Sequence, residues 1–468
     1  MTTAIQLTPQ DTVERALEIA AAAGAEGCVV LVAETSSANL RWANNTLTTN
    51  GAMRGSSLTV IATVGAGEGT AVGVVGRSSV TDVSIRGVVE AAVAVARDSS
   101  PAEDARPLVD GTVGPGWDEE ADETSVLVYE TFAPALGEAL TRAGKENRWL
   151  YGFADHEVVT LYLGSSTGSR LRHALPRGHV SATGKSADLS QSAWVGAATR
   201  DFADIDAAAI DAELTRRLGW ATRTVSVDAG RHPTVLPPAA VADLTTYLYW
   251  EMEGRDAHEG RSVFSKPSGG SRIGEQLSGQ PISLWSDPHL HGLETLPFAV
   301  ARSSSGSSSI FDNGLTLTAT DWIRGGKLEN LMNSRFTAEL TGGSVTPPID
   351  NYVLSVDGAT GSVDDLVTGL DHGLLLTCLW YIRTVDPQTL LLTGLTRDGV
   401  YLVENGEVTG AVNNFRFNES PVDLLARFTA AGATVPSFSR EWGDIFSRTA
   451  TPPLLVPDFN MSSVSQAS

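Results

Sequence analysis

DPQTLLLTGLTRDGVYLVENGEVTGAVNNFRFNESPVDLL, residues 386–425, sets short apolar runs between turn residues. Leu390, Leu391, Leu392 and Leu395 predict a strand ending in the turn Arg397-Asp398-Gly399. Val400, Tyr401, Leu402 and Val403 predict a second strand. Glu404-Asn405-Gly406-Glu407 follows it. Asn-Gly accepts positive φ at both central positions of a tight turn and so closes a hairpin. Val408 to Phe417 reads as a third strand, and Asn418-Glu419-Ser420-Pro421 opens a helix.

This order of strand, turn, strand, Asn-Gly turn, strand and capped helix resembles the C-terminal signature of the TldD/PmbA family of zinc metallopeptidases. The resemblance extends over roughly Thr12 to Met461. Arg41-Trp42-Ala43-Asn44-Asn45-Thr46-Leu47-Thr48-Thr49-Asn50-Gly51 is similar to the family's N-terminal fingerprint. By residue chemistry alone it is a hairpin closed by Asn44-Asn45.

Catalytic members of the family carry His-Glu-x-x-x-His on a helix and a cysteine ligand near the C-terminus. Two imidazoles on one helix face hold the metal, and the glutamate activates the bound water. The helix in the corresponding place is Val241 to Gly254, upstream of the family-like Gly260-Arg261-Ser262-Val263-Phe264-Ser265. Where His-Glu would fall the chain reads Trp250-Glu251, with no histidine in the next turn, and no cysteine follows Ile445. The chain thus resembles the PmbA/TldE type of subunit, which lacks the zinc motif. That resemblance implies no cofactor in this chain, zinc in a TldD-type partner, a heterodimer or higher heteromer, and a peptide or amide substrate. The Trp250 indole is expected to fill the space of the missing metal.

Other residues are candidate ligands or contacts. His258-Glu259 starts like the zinc motif, but Gly260, Arg261, Ser262 and Val263 follow, so a polar loop entering a Ser262–Phe264 strand is expected. Asp287-Pro288-His289-Leu290-His291 would set His289 and His291 on one face of an extended segment with Asp287 as third ligand, the best remaining metal cluster. Arg383 and Asp386 border the cleft in the family, so they are candidate substrate or interface contacts. Their plain reading is an ion pair at a strand end. Gly178 to Ser186 approximates a phosphate loop, but with five residues between the glycines and strand-like flanks. No Gly-x-Ser-x-Gly elbow lies between a strand and a helix.

The chain has 33 basic and 55 acidic residues and a net charge of −22, which disfavours nucleic acid and anionic membranes as partners. Only Cys28 and Cys378 occur, each in an apolar run, so buried thiols and a reducing compartment are expected. The first twenty residues lack a basic stretch followed by an apolar one, and no apolar run reaches membrane-spanning length. The expected location is cytoplasmic.

A helix starting at Thr8-Pro9-Gln10-Asp11 should precede strands at 27–33, 39–42, 57–64 and 69–75, and a second helix should span Val80–Ala96. Residues 99–117 read as a linker, and Ile205 to Leu218 as a helix capped by Asp201 or Asp204. Ser303–Ser309 is a low-complexity run expected to be a mobile loop, and Leu374–Tyr381 one strand buried on both faces. The expected fold class is α+β. An N-terminal α/β region (1–225, with a sub-boundary near 99–117) precedes a C-terminal region (226–468) of mostly antiparallel strands. Two alternatives to the paired subunit stand: a divergent stand-alone hydrolase, and a homo-oligomeric peptide-binding protein.

Overall fold

The structure, a computed structural model, describes residues 7–79 and 81–465. Helix α1 (Pro9–Ala22) begins where the Thr8 hydroxyl accepts the Asp11 N–H at 3.0 Å. It buries Val13, Ala16, Ile19 and Ala20. Strand β1 (Gly27–Ala43) is one continuous element where the sequence predicts two. The polar residues Glu34 to Ser37 stay in the sheet because β1 is paired on both sides there. The buried Ser36 hydroxyl donates to Thr124 O at 3.0 Å. Asn44 and Asn45 take φ of 50° and 59°, as a two-residue Asn-Asn turn requires, and lead into β2 (Thr46–Ala66).

β3 (Gly69–Ser78) and α2 (Asp82–Asp98) follow; Val80, the expected start of that helix, lies outside the described residues. Then come α3 (Phe132–Lys145), β4 (Trp149–Ser165), β5 (Arg170–Lys185), β6 (Ser192–Thr199) and α4 (Ala207–Trp220). The cap of α4 is Asp206, not Asp201 or Asp204: its carboxylate accepts the N–H groups of Ala208 and Ala209. The six strands run β3-β2-β1-β4-β5-β6, all antiparallel. Alternation divides the sheet's residues between its faces. Val30, Val60 and Ala62 pack under α1 and α2, while Leu40, Ala154 and Ala182 pack under α3 and α4. The opposite face, with Val29, Leu31, Ile61 and Leu163, buries Phe298, Ile310 and Phe311 from the second half of the chain. Residues 178–185 lie inside β5, so no phosphate loop forms there.

The second half contains two sheets. One has the order Lys327–Leu328, Thr320–Arg324, Ile282–Ser286, Tyr352–Val356, Thr449–Thr451, Val435–Ser437. The other is ten-stranded. Its order is Leu379–Asp386, Leu391–Thr396, Phe415–Glu419, Leu454–Val464, Gly230–Leu236, His372–Leu376, Val400–Glu404, Glu407–Val412, Thr224–Val225, with Ala430–Ala431 beside Leu454–Val464. Helix α5 (Pro238–Trp250) is apolar nearly all round and shares one core with both sheets. Its Leu244, Leu248 and Tyr249 join Leu284, Trp322 and Tyr352 of one sheet and Leu374, Leu379 and Phe417 of the other. Such a helix belongs inside a fold. The fold is α+β with mostly antiparallel sheets.

The deciding stretch folds as read at its turns: Asn405 and Gly406 take φ of 52° and 79°, and Ser420-Pro421 starts a helix, Pro421–Arg427. The third strand splits into Glu407–Val412 and Phe415–Glu419. Leu374–Tyr381 is also two strands, His372–Leu376 and Leu379–Asp386, which lie far apart in the sheet. The break is fixed by the Thr377 N–H donating to Gly399 O at 2.9 Å and the Cys378 thiol to Arg397 O at 3.0 Å. Cys28 and Cys378 are buried and unbridged. The serine run is not loose. Ser304 and Ser309 hydroxyls both donate to Asp104 Oδ2, at 2.5 and 2.6 Å, and Ser307 donates to Glu253 at 2.8 Å. Among the described residues no helix is long and apolar enough to cross a membrane.

Candidate functional site

Asp243, Tyr247 and Trp250 recur at helical spacing and so share one face of α5. Asp243 is fully buried. Its carboxylate accepts the Ser439 hydroxyl at 2.5 Å and the backbone N–H groups of Glu441 and Leu379 at 3.0 and 3.1 Å. One acid therefore ties the helix to the start of the Leu379–Asp386 strand and to the 439–446 loop. Burial pushes its carboxyl up to about 7 against the pull of those three donors. A turn later the Tyr247 hydroxyl donates to Ile382 O at 2.7 Å.

Trp250 ends the helix against Trp442, Phe446 and Tyr247, with ring centroids 5.2, 6.2 and 6.1 Å away. It does not plug an enclosed metal-sized space: 36% of it remains exposed. The indole sits on a rim because the 439–446 loop, pinned by Asp243, covers only one side of it. Glu251 next to it titrates upward to about 7, first from burial and then from the nearby carboxylates of Asp256 and Glu253. Glu441 completes the rim, accepting the Tyr381 N–H at 2.8 Å and pairing with Arg383 at 3.1 Å. Tyr381 has φ of 52° at a bulge in its strand and is 52% exposed. A left-handed aromatic residue is strained and persists only where its surroundings hold it. Ile445, 62% exposed, stands on the same loop.

The structure brings several sequence candidates to this flank. Arg383 and Asp386 do not pair with each other. Asp386 instead accepts the Gln388 N–H at 3.0 Å and the Thr389 hydroxyl at 2.8 Å, capping its turn. Gln388 then donates to Gly260 O at 3.3 Å, which sets the Asp386 turn beside His258-Glu259. His258 closes a short helix, α6 (Gly254–His258), and residues 262–264 form no strand. Both Glu259 oxygens are engaged, by Arg255 at 3.0 Å and by Arg261. Asp287, His289 and His291 lie elsewhere and not on an extended segment. Asp287 Oδ1 accepts the His289 N–H at 2.9 Å in a turn, and His291 points to solvent beside Glu294 at 3.3 Å. Pro288 inside the turn prevents the strand from continuing.

The residues at the end of α5 do not fit zinc. An indole N–H can only donate, so Trp250 supplies no ligand where the zinc helix would offer an imidazole, and no imidazole follows in the next turn. Among the described residues no group of three His, Cys, Asp or Glu side chains is arranged to hold a metal. The sequence reading missed Asp243, Glu441 and Trp442. The first has a signal: one acid in the otherwise uncharged VADLTTYLYW. The other two depend on the fold of a loop far away in the chain.

Residues 229–463 match the family model for the PmbA/TldA metallopeptidase C-terminal domain. TldE from Thermococcus kodakarensis is similar in structure over 96% of this chain and 99% of its own, with TM-score 0.76 and 16% identity. A candidate modulator of a DNA gyrase from Thermotoga maritima covers 97% and 100%, with TM-score 0.75 and 17% identity. Another from Bacteroides thetaiotaomicron covers 97% and 99%, with TM-score 0.75 and 15% identity. No curated protein matches the chain.

Proposed function

Because the chain belongs to the PmbA/TldD metallopeptidase family, we propose that it is the metal-free subunit of a two-part peptidase, paired with a zinc-bearing TldD-type partner. The observation that carries this reading is the end of α5. By the sequence resemblance Trp250 falls where the family's zinc helix would present its first histidine, and it packs there against Trp442 and Phe446 as an aromatic rim. A rim of that kind cannot bind metal, but exposed aromatic and aliphatic side chains on a strained, pinned frame suit contact with another protein. Trp250, Tyr381 and Ile445 supply that surface, and Arg383, held by Glu441, supplies a charge at its border. The substrate is a peptide or peptide-like amide, bound extended in the chamber between subunits, with backbone bonds giving broad tolerance. Hydrolysis belongs to the partner, and the compartment is the cytoplasm.

The test is co-expression with a zinc-bearing homologue, followed by copurification and metal analysis of each subunit. Expected are a stable complex, zinc in the partner alone, and peptide cleavage only by the pair. Chelator-sensitive cleavage by this chain on its own would overturn the reading in favour of a stand-alone hydrolase. A stable homodimer that ignores the homologue would turn it into a peptide-binding protein.

A further inference from the structure

A cavity of about 330 Å³ opens between the first sheet and the smaller sheet of the second half, lined by none of the residues of the α5 rim. One wall is the stretch of β5 from His173 to Arg177. β6 pairs with β5 only from Gly178 onward, so this stretch has a free edge. The opposite wall carries Arg448, just ahead of the strand Thr449–Thr451. Arg200 and Glu294 stand at the mouth.

The charges in this cavity are unequally served. Arg177 is paired with Glu157 at 2.6 Å, whereas Arg200, more exposed, makes only a looser pair with Glu294 at 3.3 Å and keeps donors free. Arg448 has no carboxylate within ion-pair distance among the described residues, and its one hydrogen bond runs from Nη2 to Pro176 O at 2.9 Å. A guanidinium carries five N–H donors in a planar fork, so most of this one is left facing the cavity. Enclosure and the nearby Arg177 lower its pKa to about 10, with Asp350 and Glu294 acting the other way. Enclosing a cation without a partner is costly unless an anion completes it. A dianion would meet Glu294 and Asp204 at the same wall. A singly charged planar carboxylate matches the fork in both charge and shape.

We infer that this cavity binds a carboxylate, seated on Arg448 and steered by Arg200, either as the free C-terminus of a peptide or as a small organic acid. The inference does not depend on pairing with a zinc-bearing partner, so either proposal can fail without the other.

Three probes on the full chain test it by fluorescence polarisation and competition: a labelled alanine-rich hexapeptide with a free C-terminus, the same peptide as its C-terminal amide, and N-acetylalanine. The free acid should bind about tenfold more tightly than the amide, the scale of one charge-assisted pair. Arg448→Gln should remove that difference. Arg200→Glu, at a residue exposed enough to leave folding intact, should also cut free-acid binding about tenfold. Competition by N-acetylalanine as strong as by the peptide identifies a small-acid site, and weak competition identifies the peptide terminus. Equal binding of acid and amide overturns the inference, as do unchanged affinities in both folded variants or no binding of either acid.

Discussion

Two neighbouring residues at the end of α5 separate packing from chemistry. Trp250 is half-enclosed, so Trp250→Ala should cost about 2 kcal/mol of folding stability, below the roughly 3–5 of a fully buried aromatic. Its larger effect should be on assembly, seen as weaker copurification with a zinc-bearing homologue at matched protein levels. Glu251→Gln should leave hydrolysis by the reconstituted pair unchanged. A large rate loss with normal assembly would show that this subunit contributes chemistry. Asp243 should behave otherwise. Asn in its place would turn an NH₂ toward one of three donors, so Asp243→Asn should cost about 1–3 kcal/mol in denaturant unfolding. Both acids have native pKa values raised to about 7, above their ordinary 4.5 and 3.8. The folded state therefore holds more protons than the unfolded one between those limits. Their contribution is most favourable below about pH 4 and declines as pH rises through 7. Melts across pH 4.5–8 should show Glu251→Gln flattening that decline, and an unchanged slope would contradict the assignment.

Elements were legible where local chemistry decides them. Thr8-Pro9-Gln10-Asp11 and Ser420-Pro421 as helix starts, and Asn44-Asn45 and Asn405-Gly406 as turns, need only a few residues of context. The continuity of β1 through Glu34 to Ser37, and the break at Thr377-Cys378, depend on partners more than a hundred and about twenty residues away respectively. No window of sequence contains those partners. For the same reason Asp287–His291 reads as a strand but folds as a turn, since the Asn351 amide holds Asp287 O and Leu293 O at 2.7 Å each. The cavity around Arg448 draws residues from both halves of the chain and had no local signal at all. Contact between elements also sets tolerance. β3 passes so close to α2 that a Cβ on Gly73 would meet Ala92 O at 2.0 Å. Gly73→Ala should therefore cost about 1–3 kcal/mol through displaced backbone, read as a lower melting temperature. Gly87→Ala, on open space in α2, should be neutral or stabilising.

Across the whole molecule, residues 99–117 act as a strap more than a spacer. Asp104 holds two serines of the 303–309 run, Arg335 donates to Pro107 O at 2.8 Å, and Arg106 pairs with Glu339 at 2.7 Å. Asp104→Ala should release the serine run, and limited proteolysis should then cut within 303–309 faster than in the parent. An unchanged cutting pattern would show the run to be held by other contacts. The ten-stranded sheet carries a different consequence. Leu454–Val464 lies between Phe415–Glu419 and Gly230–Leu236, in the interior of the sheet, although it is the last of these strands in the chain. During synthesis every other strand of that sheet leaves the ribosome before its middle member exists. Until then Gly230–Leu236 and Phe415–Glu419 are two raw edges with an apolar gap between them. This half of the molecule cannot close one strand at a time; it must wait, and chaperones have their opening in that interval. A message truncated ahead of Leu454 would leave a nascent sheet permanently in that state, fit for aggregation or degradation and not for a smaller working protein.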